Sequence, residues 1–521
     1  MKRRDFEYVF IGSGVAASTV AKTILENNRL ASILILEAGP KVPAQDRRAW
    51  WDYVVLDRRP YDYCYDKKGE NQSVGKTEWS FDDGRVMMYG GSTVHWGGWC
   101  LRFKPEDFQV FSRTGTGADW PISYETLEPY YCRAEEYLSV CGDDKEGWTK
   151  RSKPYPLPPF PWTAADGEMI AAFNQLGIKP GKLPIARFRK CMTTGTCKYC
   201  PVGARFSGQI ALENLLSDGR HTNLEVLHNA PVAKINAASK RRIESVEYLD
   251  ARTGERYEAH AKNIVVCAGS YETPKLLQVS KSMYYEKGIG NDHDIVGRYI
   301  SSHAFLIVRG ERDHNEEEWF QEFDFPTLMS RTYDTPEMQQ DGGKIFLFKD
   351  RTRPNVDIAA LMIQGMPREE VDKVVRGTRT QELQAFMDDR GLFTNRVSVG
   401  RGQNRFGLPQ TQIDFTRPPE FRALIDRRLD LMEKVILAMD YKVDPKNKRI
   451  RTQSGHHMTS TCRMGKSPED GVVDENLLVH GTDNLYVCSN AVFPTGSAVN
   501  PTLTLTAMSL RLGDHLNAGG T

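Results

Sequence analysis

The stretch Y-V-F-I-G-S-G-V-A-A, Tyr8 to Ala17, decides the fold. Tyr8 to Ile11 is a short apolar run with β-branched and aromatic residues, and it reads as a buried parallel strand. Gly12-Ser13-Gly14-Val15-Ala16-Ala17 comes next, and a helical pattern runs on through Leu25. Ser32 to Leu36 is a second buried strand, ending in Glu37-Ala38-Gly39-Pro40. This is G-x-G-x-x-A between strand and helix, with an acid at the end of the second strand. Each position has a physical task. Gly12 allows the tight turn, and Gly14 lets a pyrophosphate approach the backbone. Ala17 lets helix and strand pack closely, and Glu37 can accept the ribose hydroxyls. With strand, helix, second strand and acid in register, the pattern predicts a Rossmann-like dinucleotide site. Glu at this place, rather than Arg or Ser, argues against a 2′-phosphate. FAD or NAD is therefore expected.

At 521 residues the chain is longer than one hydrophobic core of ~250–300 residues usually serves, so two or more lobes are expected. Apolar content is 40%, charged content 26% and net charge +1, which gives no global field to draw nucleic acid or an anionic membrane. No apolar run approaches the ~20 residues of a membrane span. The start, M-K-R-R-D-F-E-Y-V-F-I-G, carries a twin arginine, but its apolar stretch is too short for a signal-peptide core and runs into the glycine turn. A cytoplasmic location is expected, with export to the periplasm alongside a partner subunit as the alternative. The ten cysteines are mostly scattered in apolar settings and do not suggest a secreted disulfide scaffold.

Further motifs follow in order: Gly90-Gly91-Ser92-Thr-Val-His95-Trp96, Ala268-Gly269-Ser-Tyr-Glu-Thr-Pro274-Lys-Leu-Leu, Val296-Gly-Arg-Tyr-Ile-Ser-Ser-His303, the stretch S-G-H-H-M-T-S-T-C-R-M-G from Ser454 to Gly465, and Asn500-Pro501-Thr502. Together with the fingerprint they resemble the glucose-methanol-choline oxidoreductase family of flavoproteins, over residues 7 to about 515. Lys281 after Ser280, and Ser460, stand where many members have Gly. The resemblance implies an α/β fold: a Rossmann-like FAD-binding domain with an antiparallel-sheet substrate domain. The FAD domain is expected to be discontinuous, over 1–110, 221–305 and 455–521. Residues 111–220 form an insertion with a helical part, opened by a cap-like Ser123, and a cysteine-rich part. Pro154 to Pro161 reads as an extended connector. Residues 306–454 are the expected substrate domain, with strand patterns such as Thr411 to Phe415 and one long helix near Glu420 to Met439. The resemblance also implies FAD as the dinucleotide. Gly12, Gly14, Ala17 and Glu37 would hold its ADP half, and Val232 would lie on the adenine side. Gly91 and Ser92 would approach the pyrophosphate or isoalloxazine, and His95, Ala268, Pro501 and Thr502 complete the cofactor contacts.

Two residues match the family's reacting pair: His457 from H-x-x-x-T-C-R-M-G, and Asn500 immediately before Pro501-Thr502. His456 falls one residue outside that register. Oxidising an alcohol removes the hydroxyl proton while a hydride leaves carbon. A neutral imidazole, with an ordinary pKa near ~6.5, can take that proton. Asn500 can donate a hydrogen bond to the same oxygen as it gains charge. The His–Asn pairing is similar to that of pyranose oxidases and bacterial sugar dehydrogenases. In pyranose oxidases the His of an S-T-H-W segment bonds to a flavin methyl, and His95 lies in a similar place, with one residue more between Thr and His. Cys191, Cys197 and Cys200, as C-x5-C-x2-C-P, resemble the iron–sulfur segment of the sugar dehydrogenases, and three thiolates suit a 3Fe-4S cluster. The family's cluster proteins tend to have x3 before the last Cys. A bare reduced loop and a zinc site are the alternatives, and zinc lacks a fourth ligand nearby.

The expected activity is FAD-dependent oxidation of a secondary hydroxyl of a pyranose or glycoside to a ketone, at C3 or C2. The alternatives are oxidation of C1 to a lactone with an iron–sulfur relay to a small subunit or cytochrome partner, and oxidation of a non-sugar alcohol. An NAD-linked dehydrogenase and a non-enzymatic flavin-binding subunit are the readings of other classes.

Overall fold

The computed structural model describes residues 3–56, 58–67, 69–81, 84–187, 191–192, 196–313, 325–350, 358–451 and 456–519. Lys2 of the basic start, and Ser454 and Gly455 of the double-histidine stretch, lie outside the described residues.

Tyr8 to Ile11 forms the inner end of a longer strand, β1 (Arg3–Ile11). β1 lies between β2 (Ile33–Leu36) and the strand Arg256–Val266, parallel to both. Leu224–Leu227 extends the sheet beyond β2, and Leu485–Val487 pairs with the end of Arg256–Val266, again parallel. The parallel strands thus come from three distant parts of the chain. Val9, Phe10, Ile33, Leu34, Ile35, Ile264 and Val265 have no exposed surface. Being covered on both faces explains why these strands read as continuous apolar runs. The outer half of Arg256–Val266 pairs antiparallel with Ile243–Leu249, which pairs antiparallel with Val232–Ala237.

Helix α1 (Val15–Asn27) packs against the last helix, Thr502–Asn517. A second sheet is antiparallel throughout, with spatial order Lys448–Arg451, Ala304–Asp313, Thr378–Met387, Ile345–Lys349, Leu328–Ser330 and Gly181–Lys182. The long helix, Pro419–Ala438, buries Leu424, Ile425, Leu429, Met432 and Ile436 in a separate apolar core with this sheet. Ser123 caps the helix Tyr124–Leu138, its hydroxyl accepting from the Thr126 N–H at 3.3 Å.

Two elements differ from the sequence pattern. The strand expected at Thr411 to Phe415 exists as Pro409–Asp414. It joins Arg396–Gln403 and Asn71–Ser73 in a small sheet of its own, not the six-stranded one. Gly181–Lys182, from the middle of the chain, forms the edge of the antiparallel sheet. Period-two alternation marks a strand but carries no information on its partner.

Buried charge ties the antiparallel sheet to the short turn Pro105–Phe108. Lys344, just before Ile345–Lys349, has no exposed side-chain surface and pairs with both Asp107 and Asp334, the latter at 2.9 Å. Arg331 reaches Asp334 at 2.6 Å. Breaking a buried ion pair by removing one partner costs about 3–5 kcal/mol, because a charge is left without compensation. Lys344→Met is accordingly expected to lower the apparent melting temperature strongly in a thermal scan. A variant as stable as the parent would show that these charges are not a structural clamp.

Candidate active site

The carboxyl ends of the parallel strands open onto one large cavity of about 870 Å³. This is where ligands lie in sheets of this type. Gly12, after β1, has φ 100°, and a Cβ there would sit 2.7 Å from the carbonyl oxygen of Cys267. Only glycine turns there without pushing β1 away from its neighbour. Gly14 precedes α1, and a Cβ on it would meet nothing within 4 Å. No side chain caps the first turn of α1. The N-terminus of α1 therefore presents backbone N–H groups to the cavity, which suits a pyrophosphate. Gly91 passes so close that a Cβ on it would lie 2.9 Å from the Gly14 Cα.

Glu37 is buried at the end of β2. One carboxylate oxygen accepts from the Ser13 N–H at 3.0 Å and hydroxyl at 2.7 Å, and the other from the Gly39 N–H at 2.9 Å. Burial pushes its pKa up, and these donors pull against that. The acid thus ties the glycine turn to the second strand and keeps acceptor capacity for a ribose.

Most residues singled out from the sequence share this cavity. Gly12, Gly14 and Glu37 line it at the turn. Gly91, Ser92 and His95 line it along the glycine-rich segment. Val232, Ala268 and Thr502 come from the sheet and the last helix, and His457 and Asn500 from the far wall. Ala17 does not reach the cavity; it is fully buried beneath the turn, where only a small side chain fits. Pro501 lies behind the wall, on a small secondary space beside His303 and Ser497.

At the far wall Asn500 Nδ2 lies 3.1 Å from His457 Nε2. The other ring nitrogen of His457 is 2.9 Å from Nδ1 of His303, whose Nε2 is 2.6 Å from the Ser497 carbonyl oxygen. Burial lowers the pKa of His457 well below its ordinary value, and the neighbouring His303 and His456 act in the same direction. A neutral imidazole there is the form that can accept a proton. His95 is likewise held neutral, chiefly by burial, and its Nδ1 lies 3.2 Å from the Tyr65 hydroxyl. Trp99, Phe305 and Phe386 form an apolar side of the cavity beside these polar groups.

His456 is one residue off the matching register, yet it also lines the cavity, its ring 6.1 Å from that of His95. The tight turn at 456–457 brings both rings to one space. Ser460 has φ 76°, which explains why glycine suits that position. Sequence reasoning passed over a buried ion cluster on the rim. Arg85 pairs with Asp66 at 2.8 Å and Glu272 at 3.0 Å, and Lys275 pairs with Glu272 at 2.5 Å. Burial alone would raise the Glu272 carboxyl, but Lys275 and Arg85 pull it down to about 2. Glu272 stands inside a motif that carried the resemblance, so its charge was the available signal.

The three cysteines of the candidate cluster segment lie on either side of residues 193–195. Cys191, Cys197 and Cys200 are half-buried, and among the described residues no three His, Cys, Asp or Glu gather where they could hold a metal ion. Cys200 Sγ accepts from the Ala204 N–H at 3.4 Å, while Cys191 and Cys197 pack against the main apolar core. Residues 193–195, between these thiols, lie outside the described residues.

Two family models, both described as GMC oxidoreductase, match residues 6–305 and 394–509. The chain belongs to the GMC oxidoreductase family. It is 24% identical to the fructose dehydrogenase large subunit of Gluconobacter japonicus, over 98% of this chain and 97% of that one. It is 25% identical to the 6'''-hydroxyparomomycin C oxidase of Streptomyces lividus, over 99% and 92%. It is 28% identical to the C-glycoside 3-oxidase of Microbacterium trichothecenolyticum, over 53% and 50%. Among solved structures it shares its fold with pyridoxine 4-oxidase from Mesorbium loti, at TM-score 0.65 and 18% identity over 98% and 99% of the two chains. A formate oxidase variant from Aspergillus oryzae RIB40 superposes at TM-score 0.68 and 14% identity, over 99% and 98%.

As a GMC oxidoreductase the chain is an enzyme acting on CH–OH groups, and FAD is the family's cofactor. The cavity fits it. The glycine turn and α1 offer an anion cradle at one end. Toward the other, the side-chain oxygens of Asn490 and Asn500 are buried without a hydrogen-bond partner. No helix among the described residues is long and apolar enough to cross a membrane. Glu37→Arg would replace the acceptor at the turn by a donor-only group and leave Ser13 and Gly39 without theirs. It is expected to purify without flavin, measured by the 280/450 nm absorbance ratio; a full flavin complement would refute the assignment of this end of the cavity.

Proposed function

We propose that this GMC oxidoreductase oxidises a secondary hydroxyl of a pyranose sugar or glycoside to a ketone, at C3 or C2, with His457 as the base. The observation that carries the reading is the His457–Asn500 pair, 3.1 Å apart, on the wall of a cavity that begins at the glycine turn. When bound, FAD would supply the electron sink for the C–H electron pair. His457 takes the hydroxyl proton on Nε2 as the C–O bond becomes C=O. Asn500 donates to the same oxygen while charge builds on it. The Trp99, Phe305 and Phe386 side of the cavity suits the apolar face of a ring whose edge carries hydroxyls. Relatives named for fructose, for hydroxyparomomycin and for the 3-position of a C-glycoside support a sugar-like substrate.

His95 is the proposed attachment point if the flavin is covalent. Tyr65 engages its Nδ1 and leaves Nε2 as the nitrogen for a flavin methyl. One relative is a large subunit, which supports a partner subunit as electron acceptor. Oxidation of C1 through an iron–sulfur relay, the second reading, would draw on Cys191, Cys197 and Cys200, which are half-buried.

His457→Ala is expected to slow reduction of the flavin by roughly 10²–10⁴-fold in stopped-flow bleaching with a panel of sugars and glycosides. Asn500→Ala loses one donor to the developing charge and is expected near ~10²-fold; His456→Ala should fall well short of both. A His457→Ala enzyme that bleaches at the parental rate would end its role as base. Acid precipitation of the pure protein tests the cofactor state. A yellow pellet from the parent and a colourless one from His95→Ala are expected, with iron near zero by metal analysis. Stoichiometric iron lost on Cys197→Ser would instead restore the cluster.

A further inference from the structure

The proton positions along the Ser497–His303–His457 line follow from one group that has no choice. A backbone carbonyl can only accept a hydrogen bond. His303 Nε2 lies 2.6 Å from the Ser497 carbonyl, so this nitrogen carries a proton. Burial lowers the pKa of His303 to about 4, against the opposing effect of the Ser497 bond, so the ring is neutral. A neutral ring protonated on Nε2 has a lone pair on Nδ1. That lone pair faces Nδ1 of His457 at 2.9 Å. Two nitrogens at this distance share one proton, and His303 cannot supply it. His457 therefore donates from Nδ1. A neutral His457 so protonated is bare at Nε2, the atom 3.1 Å from the Asn500 amide nitrogen.

We propose that His303 is a positioning residue that fixes the tautomer of His457, so that the ring nitrogen facing Asn500 and the cavity is the one without a proton. The proposal rests on the reading of His457 as base and says how the chain prepares it. An imidazole with no partner exchanges its proton between the two nitrogens. Only one of those forms can take a hydroxyl proton at this wall. His303 removes the other form before substrate arrives.

The surroundings hold His303 to the task. It is 4% exposed. The Phe386 ring stacks on it at 5.0 Å and 29° and meets His457 edge-on at 4.9 Å and 83°. One phenyl ring thus keeps the two imidazoles at their mutual angle of 72°. Ser497 is fixed in turn, its hydroxyl donating to Asp107 at 2.9 Å. Orientation of a reacting imidazole by the partner of its other nitrogen is a general device, and losing that partner typically costs 10–100-fold.

The test has two arms, both on the flavin-loaded protein. In the first, the ring ¹⁵N shifts of histidine-labelled enzyme are recorded, with His457 assigned by its loss in His457→Ala. Protonated Nδ1 and bare Nε2 on His457 are expected; the reverse pattern overturns the proposal. The second arm compares His303→Asn and His303→Leu, side chains of nearly equal shape. Asn keeps an acceptor oxygen near the former Nδ1, and Leu keeps none. Flavin reduction should fall roughly 10–100-fold in Leu and only a few-fold in Asn. Equal loss in both, at full flavin content, refutes a role through the acceptor. The first arm does not depend on how either variant folds. If His457 is not the base, His457→Ala will bleach normally while the tautomer pattern stands, so the two failures are separable.

Discussion

Ser497 is held from two sides, and the geometry of the site depends on it. Its hydroxyl donates to Asp107, and its carbonyl accepts from His303. Asp107 is fixed by Lys344 at the start of a strand in the antiparallel sheet. A buried ion pair is weak evidence for stability, since desolvation offsets attraction. Its contribution here is positional. Asp107 with one clamped carboxylate sets where the 497–500 loop runs, and therefore where Asn500 meets His457. The chain of contacts Lys344–Asp107–Ser497–His303 thus ends at His457.

The nucleotide end of the site was legible in the sequence because its constraints are local. A turn that admits no Cβ, a buried run of β-branched residues and an acid at a fixed remove are all visible within Tyr8 to Glu37. The chemical end was legible only through resemblance. Nothing local distinguishes His457 from His456, and both rings face the cavity. His303 stood inside a quoted motif without a role, because its partner is 154 residues away in sequence. The strand Pro409–Asp414 was correct as an element and misplaced as to sheet, since alternation reports burial on one face and not pairing. The cysteine spacing suggested a cluster through its resemblance to a family segment, and among the described residues no three such ligands gather.

The cavity is polarised along its length. At the turn the groups offered are backbone N–H donors and a carboxylate acceptor, fit for a charged, hydroxylated cofactor half. At the far wall they are two neutral imidazoles, a carboxamide and three aromatic faces, with burial suppressing imidazolium. An ion cluster of Arg85, Asp66, Glu272 and Lys275 borders the space between. A neutral polyol is compatible with such a wall.

The parallel sheet is assembled from strands that begin at residues 3, 33, 224, 256 and 485. During synthesis β1 and β2 are made well before the strand that pairs with the other edge of β1, and Leu485–Val487 is made later again. Non-local parallel pairing of this kind is slow and leaves strand edges open in the meantime. Asn500, Thr502 and the last helix, which packs against α1, are made later still. The nascent chain therefore carries a finished glycine turn long before it has a cavity. The cavity wall that holds Asn500 and Thr502 is thus the part of the site that is made last.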